Sequence, residues 1–288
     1  MKIGFVDHFL DEYHANEYHR MLKEASGGQV VVAYAYATID SPRGGMTTDK
    51  WCAVKNIQKV ESIEELVEKS DGIVVLSPDN PEFHEDLCQL PLRSGKPVFV
   101  DKTFAETKAS AVRLFDLADK HGTLCCSASA LRFASEFCDL YRNRIQNKNQ
   151  NHIENMNSRG PGDLKVYGVH QVEPIIMLMG TNVRRVMYTG NDKWLSYVIE
   201  FADGRRAGIS HHGGGCPFSF LVDFNDSQAK VLDLSHDFFR AAIDDLVGFF
   251  LRGDISIPRE ETIATIAVIE AVNNAIKNPF KWTEISSQ

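Results

Sequence analysis

The first 130 residues alternate between short apolar runs and segments with helical periodicity. The runs are continuous rather than alternating, which is typical of parallel strands that are covered by helices on both faces. Between two of them, Ser62 and Glu65 form a capping box at the start of a helix. This rhythm predicts a doubly wound, Rossmann-like parallel sheet. Its strands are predicted over residues 3–6, 30–37, 72–76, 97–100 and 124–128.

The periodicity changes in the second half of the chain. An asparagine-rich stretch over residues 143–163 predicts a loop, with one short strand near 153–156. A helix is predicted from about residue 166 to 179, and apolar residues then alternate along 195–201 and 218–224. Two helices follow, from about 239 to 250 and from about 259 to 277. This half therefore predicts an α+β domain with an open, mainly antiparallel sheet.

The length of 288 residues suits two domains, which we place at residues 1–128 and 129–288. The first is of the dinucleotide-binding type, and the second is a substrate-binding and oligomerisation domain whose last helix is a candidate to pack back on the first. The net charge of −8 argues against nucleic-acid and anionic-membrane partners. Since the chain start has no signal-peptide profile and the six cysteines form no C-x-x-C pair, we expect a cytoplasmic protein with reduced thiols.

The clearest candidate for chemistry is Lys102, which follows a predicted buried strand and Asp101. Ligands bind at the carboxyl ends of strands in open α/β sheets. A lysine that is partly desolvated there can pass a proton to or from a substrate hydroxyl. The alternative is a surface lysine paired with Asp101.

Two histidine-containing segments are further candidates. His170 and Glu173 are three residues apart on a predicted helix and share a face, an arrangement used in acid–base catalysis. The alternative is a hydrogen-bonded core histidine. His211 and His212 are adjacent in a predicted strand and point to opposite faces, so we expect no metal site there.

Five segments, in the right order along nearly the whole chain, resemble the Gfo/Idh/MocA family of NAD(P)-dependent oxidoreductases. They are Gly-Lys-Pro-Val-Phe-Val-Asp-Lys-Thr at 95–103, Leu-Arg-Phe at 131–133, Gly-Val-His-Gln-Val-Glu at 168–173, Phe-Ala-Asp-Gly at 201–204 and Ile-Glu-Ala at 269–271. They are similar to the family's G-K-x-V-x-x-E-K-P, R-F, G-x-H-x-x-D, F-x-(D/N)-G and I-E-A motifs.

The resemblance implies hydride transfer between NAD or NADP and a sugar, an inositol or a related polyol or keto compound. Lys102 would donate or accept the proton, His170 would orient the same oxygen, and Glu173 would complete the catalytic set. Residues 77–84 are similar to the family's T-P-x-x-x-H loop, with about two extra residues. The positions implied to contact the cofactor are Val6, Asp7, His8, Phe9, Ser77, Pro78, His84 and Asp101.

The phosphate-binding turn departs from the family pattern. Asp7 and Phe9 stand where G-x-G-x-x-G has glycines, and Asp11 is a good N-cap for the next helix, with Glu12 in its first turn. A carboxylate about 5 Å from a phosphate repels it by roughly 3 kcal/mol at an effective dielectric constant near 20. A dinucleotide would bind in the usual way only if Asp7 pointed away or His8 were protonated.

Two further positions differ from the family. The second predicted strand does not end in an acid or an arginine to set ribose selectivity, although Asp40 and Arg43 follow shortly after it. Val166 stands four residues before His170, where the family often has an aspartate.

Two alternatives to the oxidoreductase therefore stay open. One is a relative that has lost dinucleotide binding and acts as a small-ligand-binding or regulatory protein. The other is a non-redox lyase or hydrolase that reuses Lys102, His170 and Glu173. We also expect a homodimer or homotetramer, because residues 218–224 place four apolar side chains on one face of a strand.

Overall fold

The computed structural model describes residues 1–42, 44–146, 152–234 and 236–285. The chain divides into two compact units, Met1–Ala128 with Arg240–Arg259 and Ser129–Phe239 with Glu260–Gln288. Among the described residues, no helix is both long and apolar enough to cross a membrane.

The strands are β1 (Lys2–Asp7), β2 (Val31–Ala37), β3 (Gln58–Lys59), β4 (Gly72–Val75), β5 (Val98–Val100), β6 (Cys125–Cys126), β7 (Ile153–Pro161), β8 (Val183–Tyr188), β9 (Leu195–Phe201), β10 (Arg206–His212), β11 (Ser219–Phe224), β12 (Ala229–Leu232) and β13 (Trp282–Glu284). The α-helices are α1 (Tyr13–Ala25), α2 (Thr48–Lys55), α3 (Ile63–Lys69), α4 (His84–Leu87), α5 (Lys108–Lys120), α6 (Ser135–Gln146), α7 (Leu164–Met179), α8 (Phe238–Arg252) and α9 (Arg259–Ala275). Short 3₁₀ turns cover Pro81–Phe83, Pro91–Arg93 and Ala130–Phe133.

The first unit is built on a six-stranded parallel sheet in the order β3-β2-β1-β4-β5-β6. This order confirms the predicted Rossmann-like fold. Parallel strands bring their carboxyl ends to one edge, so Asp7 at the end of β1, Ser77 after β4 and Asp101 after β5 lie on the same side of the sheet.

Gly4 in β1 lets α3 approach the sheet closely. A Cβ atom at this position would lie 2.4 Å from Cδ2 of Leu66 on α3. A larger residue would therefore push the helix away from the strand. Gly4 thus serves helix packing, and it lies before the turn where the family's phosphate-binding glycines stand.

The second unit is built on a seven-stranded sheet in the order β12-β11-β7-β10-β9-β8-β13. Among the described strands of this second sheet, only β7 and β10 pair in parallel, and the other neighbours are antiparallel. The predicted open, mainly antiparallel sheet is therefore confirmed. Its core contains the buried face of the sheet together with α7 and α9.

The prediction of a loop over residues 143–163 was wrong in two places. Helix α6 continues to Gln146, and β7 is a nine-residue strand that pairs with both β10 and β11. Asparagine has low strand propensity, but Asn155 and Asn157 project from the less buried face while Met156 and Ser158 are buried. Residues 147–151 of the predicted loop lie outside the described residues.

The apolar face predicted for residues 218–224 is covered within the chain. Phe220 and Val222 are buried in the core of the second unit. Our sequence argument for a homo-oligomer, which took this face to need a partner, was therefore wrong in its premise.

Candidate functional site

Asp7 is buried at the carboxyl end of β1 and bonds to the turn after β4. Its Oδ1 accepts hydrogen bonds from Ser77 Oγ at 3.1 Å and from Phe9 N at 3.3 Å. Its Oδ2 is buried and has no partner within the described residues. Burial raises the pKa of the Asp7 carboxyl well above its usual range, and Asp101 also raises it. The neutral acid is therefore favoured at this position.

Helix α1 is capped by Glu12, so our prediction of Asp11 as the N-cap was wrong. The Glu12 carboxylate accepts hydrogen bonds from the backbone N of His14 at 2.6 Å and from that of Ala15. Asp11 instead accepts from Met46 N at 2.8 Å and from the Asn16 side chain at 3.0 Å. Burial raises the pKa of Glu12, and the nearby Asp7 carboxyl raises it further. A carboxyl of the chain itself thus occupies the first turn of α1.

Asp101, at the end of β5, is completely buried and is paired with His14. One carboxylate oxygen contacts His14 Nδ1, and the other accepts from Lys102 N at 2.8 Å. Burial alone would raise the pKa of Asp101, but the His14 imidazole holds it below its usual range. The His14 ring stacks on Tyr18 with centroids 4.7 Å apart, which fixes the imidazole over the helix.

The Lys102 side chain is 5% exposed, so its amine is largely withdrawn from water. Its Nζ donates a hydrogen bond to the carbonyl oxygen of Pro78 at 3.1 Å. Within the described residues, Pro78 O is the hydrogen-bond partner of the Lys102 amine. Lys102 is therefore not the surface lysine paired with Asp101 that we gave as the alternative. An amine has three N–H donors when charged, and two stay available to a ligand oxygen.

The other predicted cofactor positions surround the same edge of the sheet. His8 N donates to Ser77 Oγ at 3.0 Å, and the His8 ring stacks on Phe83 with centroids 3.9 Å apart. Burial lowers the pKa of His8, which disfavours the protonated form. Val6 is buried within β1. His84 is completely buried, with its ring nitrogens 2.5 Å from Leu76 O and 3.2 Å from Phe104 O.

The start of α1 does not fit the pyrophosphate of a dinucleotide in the usual geometry. In Rossmann folds, phosphate oxygens accept hydrogen bonds from the free backbone N–H groups of this turn. Here the amides of His14 and Ala15 already donate to Glu12, and Asp7 places a second carboxyl beside it. We had expected usual binding if Asp7 pointed away or His8 were protonated. Asp7 instead accepts a hydrogen bond from Phe9 N within this turn, and burial disfavours the protonated form of His8.

The region after β2 gives one further observation. Asp40 accepts a hydrogen bond from Thr48 N at 2.8 Å, so its carboxylate stabilises the start of α2. Arg43 lies outside the described residues.

In the second unit, Glu173 belongs to a buried ionic network. Its carboxylate accepts from Ser129 N at 2.7 Å and from the Arg132 guanidinium at 3.1 Å. Arg132 also donates to Glu261 at 2.8 Å. Burial raises the pKa of Glu173, while the two carboxylates outweigh burial and raise the pKa of Arg132. Glu173 thus fixes the turn that begins at Ser129.

His170 contacts that turn through its Nδ1 atom. Ser129 Oγ lies 2.6 Å from His170 Nδ1, and the rings of Tyr167 and Phe218 are each 5.7 Å from the imidazole. Val166, where the family often has an aspartate, donates its backbone N–H to the cap residue Asp163. A serine hydroxyl therefore lies beside Nδ1 of His170, while the Glu173 carboxylate, which we had paired with His170, accepts from Ser129 N and Arg132.

Two other features of the second unit are clear. His211 is buried against Tyr197, and burial lowers its pKa to about 4, whereas His212 lies on the other face beside Ser210. The less buried face of the sheet, which carries Asn157, Ser196 and Ser210, forms an open groove of about 430 Å³. Across the described ranges, His, Cys, Asp and Glu side chains form no group of three or more that could hold a metal ion.

Sequence analysis did not identify His14, Ser129 or the Arg132–Glu261 pair as part of these clusters. His14 had a usable signal, because a residue in the first turn of α1 lies beside the strand ends of a Rossmann fold. Ser129 lies two residues before the Leu-Arg-Phe segment at 131–133, and our sequence analysis gave Arg132 in that segment no role. Lys102 lies in the first unit and His170 in the second.

Comparisons with known proteins agree with the observed Rossmann-like fold of the first unit. Residues 9–129 match the sequence profile of the Gfo/Idh/MocA family, an oxidoreductase family with an NAD-binding Rossmann fold. No curated protein matches the chain by sequence.

Solved structures show the fold of the whole chain. The chain is similar to scyllo-inositol dehydrogenase from Lactobacillus casei with bound NAD(H) and scyllo-inositol, at 15% identity, a TM-score of 0.80 and 99% coverage of both chains. An NAD-binding oxidoreductase from Klebsiella pneumoniae has 12% identity, a TM-score of 0.76 and 100% coverage of both. GenD2 from gentamicin A biosynthesis, in complex with NAD, has 15% identity and a TM-score of 0.78, with 99% of this chain and 97% of that chain covered.

Proposed function

We propose that this chain is a Gfo/Idh/MocA oxidoreductase, whose profile residues 9–129 match, and that it oxidises a CH–OH group, or reduces the matching carbonyl, in a sugar, an inositol or a related polyol. The redox partner in this proposal is a nicotinamide dinucleotide, NAD or NADP. The scyllo-inositol bound to the structurally similar L. casei enzyme supports the choice of substrate class.

The observation that carries this proposal is the buried amine of Lys102 at the carboxyl end of β5. Oxidation of a secondary alcohol removes a hydride from carbon and a proton from oxygen. An amine that is held by Pro78 O can take the proton in its neutral form and return it in the reverse reaction. Lys102 is therefore the proposed proton acceptor and donor.

His170 and Glu173 have separate roles in the proposal. His170 contacts and orients a substrate oxygen in this proposal, as the family motif implies. The Glu173 carboxylate is engaged by Ser129 N and Arg132, so Glu173 acts as a positioning residue instead of exchanging a proton itself.

The capped start of α1 favours a second candidate function. Since Glu12 holds the amides of His14 and Ala15, the chain would act as a relative that binds a small polyol-type ligand without a dinucleotide. Such a protein would serve as a ligand sensor or a regulatory partner. The two candidates share the substrate class and differ in whether nicotinamide binds.

Self-association and location complete the proposal. We propose a cytoplasmic homodimer or homotetramer whose contact surface includes the open sheet groove of the second unit. The groove is lined by polar and small side chains such as Asn157, Ser196, Ser210 and Ser219. Sedimentation that finds only a 32.3 kDa species at micromolar concentration would contradict the oligomer.

One titration separates the two candidate functions. NADH and NADPH are added to the protein, and nicotinamide fluorescence is measured with and without a panel of inositols and sugars. Saturable binding and polyol-dependent reduction of NAD or NADP support the oxidoreductase. Binding of a polyol with no saturation by either dinucleotide at millimolar concentration supports the second candidate and contradicts the first.

A further inference from the structure

The hydroxyl of Ser129 has a complete set of hydrogen-bond partners in the second unit. Ser129 is fully buried, and its Oγ lies 2.6 Å from His170 Nδ1. Leu131 N donates to the same oxygen at 3.3 Å. One lone pair of the hydroxyl is thus used by a backbone donor, and the hydroxyl proton needs an acceptor, because a buried O–H without one is unfavourable.

The Nδ1 atom of His170 meets this need. If Nδ1 carried a proton, the Ser129 oxygen would accept two hydrogen bonds and its own proton would lack an acceptor within the described residues. If Nδ1 is unprotonated, the Ser129 O–H donates to it, and both the hydroxyl proton and the Nδ1 lone pair have a partner. We infer that Ser129 holds the neutral His170 ring in the tautomer that carries its proton on Nε2.

The position of Ser129 is itself fixed by the neighbouring ionic network. Glu173 accepts the Ser129 backbone N–H at 2.7 Å and is held by Arg132, which also binds Glu261. All three charged side chains are at least nine-tenths buried. The hydroxyl therefore cannot drift away from the imidazole without a loss of contacts to buried charges.

The tautomer assigns a direction to the chemistry of His170, and this step rests on the proposed function. An aspartate beside Nδ1 would accept its proton and leave Nε2 as an acceptor. With Ser129 as the donor, Nε2 carries the ring proton, so under the proposed function it would donate to a substrate oxygen rather than accept from it. Ser129 is then a positioning residue for His170.

The test is the imidazole nitrogen spectrum of the full-length protein labelled with ¹⁵N-histidine. The His170 signals are assigned by their loss in the His170→Gln variant. At a pH where the ring is neutral, we expect a pyridine-type Nδ1 and a pyrrole-type Nε2. Ser129→Ala should convert this single pattern to an average of both tautomers, and Ser129→Asp should reverse it and raise the pKa of His170.

Ser158→Ala is the matched control. Ser158 is also buried, and its Oγ donates to Gln171, the residue next to His170 on α7. Its loss should leave the His170 signals unchanged. A pyrrole-type Nδ1 in the unmodified protein, or a pattern that Ser129→Ala does not alter, would overturn the inference.

The spectrum is recorded without substrate or dinucleotide, so it is independent of the proposed function. If the tautomer is found but no polyol is oxidised, the proposed function fails and the Ser129–His170 relationship stands. If turnover is found, Ser129→Ala should lower kcat at least tenfold with a smaller change in KM, and Ser129→Asp should shift the pH profile of kcat. A change in KM alone would contradict the positioning role.

Discussion

Glu12 accepts a hydrogen bond from the backbone N of His14, two residues later, at 2.6 Å. This contact places a carboxyl of the chain on the amides that face phosphate in a Rossmann fold. The His14 N–H group is therefore already used by the chain itself, and this contact can be altered by a single substitution.

We expect Glu12→Gln to raise the affinity for NADH at least tenfold. The amide side chain keeps an oxygen that can cap α1 and removes a carboxyl that, when ionised, would repel phosphate by roughly 3 kcal/mol at about 5 Å. Glu12→Ala should increase affinity further and lower stability by about 1 kcal/mol, because the cap is lost. Nicotinamide fluorescence and urea unfolding measure the two effects.

The control for that experiment is Glu17→Gln on the exposed surface of the same helix, where Glu17 pairs with Arg20. It should leave NADH affinity unchanged. Equal affinities for the unmodified protein, Glu12→Gln and Glu12→Ala would show that the cap does not compete with the dinucleotide.

We expect Lys102→Met to reduce polyol-dependent turnover about 100-fold or more, which is the usual size of a lost acid–base group. Methionine keeps most of the side-chain volume and removes the amine that binds Pro78 O. Steady-state kinetics across pH, together with circular dichroism to verify folding, measure the effect. Lys120→Met at the exposed end of α5 should behave as the unmodified protein, and turnover retained in Lys102→Met would remove this residue from the mechanism.

His211 should make the protein less stable as the pH falls. Burial lowers its pKa to about 4, below the ordinary 6.5, so the unfolded chain binds a proton there before the folded chain does. The stabilisation is complete above the ordinary pKa and is lost as the pH falls from 6.5 towards 4. Between pH 7 and pH 5 this contribution decreases by about 2 kcal/mol.

We therefore expect His211→Gln to remove that part of the pH dependence, measured by urea unfolding at pH 7, 6 and 5. His212→Gln is the control, because His212 lies on the other face of β10 beside Ser210. The free energy of unfolding of His212→Gln should fall with decreasing pH in parallel with that of the unmodified protein. A His211→Gln curve that is parallel to both would mean that this imidazole titrates normally in the folded state.

Arg132→Met should destabilise the protein by about 3–5 kcal/mol, because it leaves the buried Glu173 and Glu261 carboxylates without their cation. Combining it with Glu173→Gln and Glu261→Gln should recover much of the loss. Urea unfolding at pH 7 provides the values, and Arg142→Met in an exposed ion pair on α6 should change stability by less than about 0.5 kcal/mol. No difference between the two arginine variants would contradict the buried network.

The fold was predictable because buried parallel strands and alternating strands leave different patterns. The helix predicted near 166–179 and the five predicted strands of the first unit lie within a few residues of their observed bounds, whereas the two-residue β3 was not predicted. Strand β7 was predicted too short, because its polar residues mask a central strand that is buried on one face only.

The site was less predictable than the fold. Lys102 could be placed at the end of β5 from the apolar run before it, but its contact with Pro78 O depends on a turn of another strand. The observed N-cap of α1, Glu12, is one residue later than the predicted Asp11, and sequence patterns do not resolve helix ends to one residue. Ser129 contacts His170 across 41 residues of sequence, a separation that no local pattern encodes.

The first unit is discontinuous, since Arg240–Arg259 belong with Met1–Ala128. On α8, Phe250 lies against Gly72 of β4, where an added Cβ would be 3.0 Å from its ring. A ribosome that adds about 5–20 residues per second needs on the order of ten seconds to travel from residue 128 to residue 259. During that delay the nascent sheet has an uncovered apolar surface, so a fragment that ends at Ala128 should aggregate or recruit a chaperone.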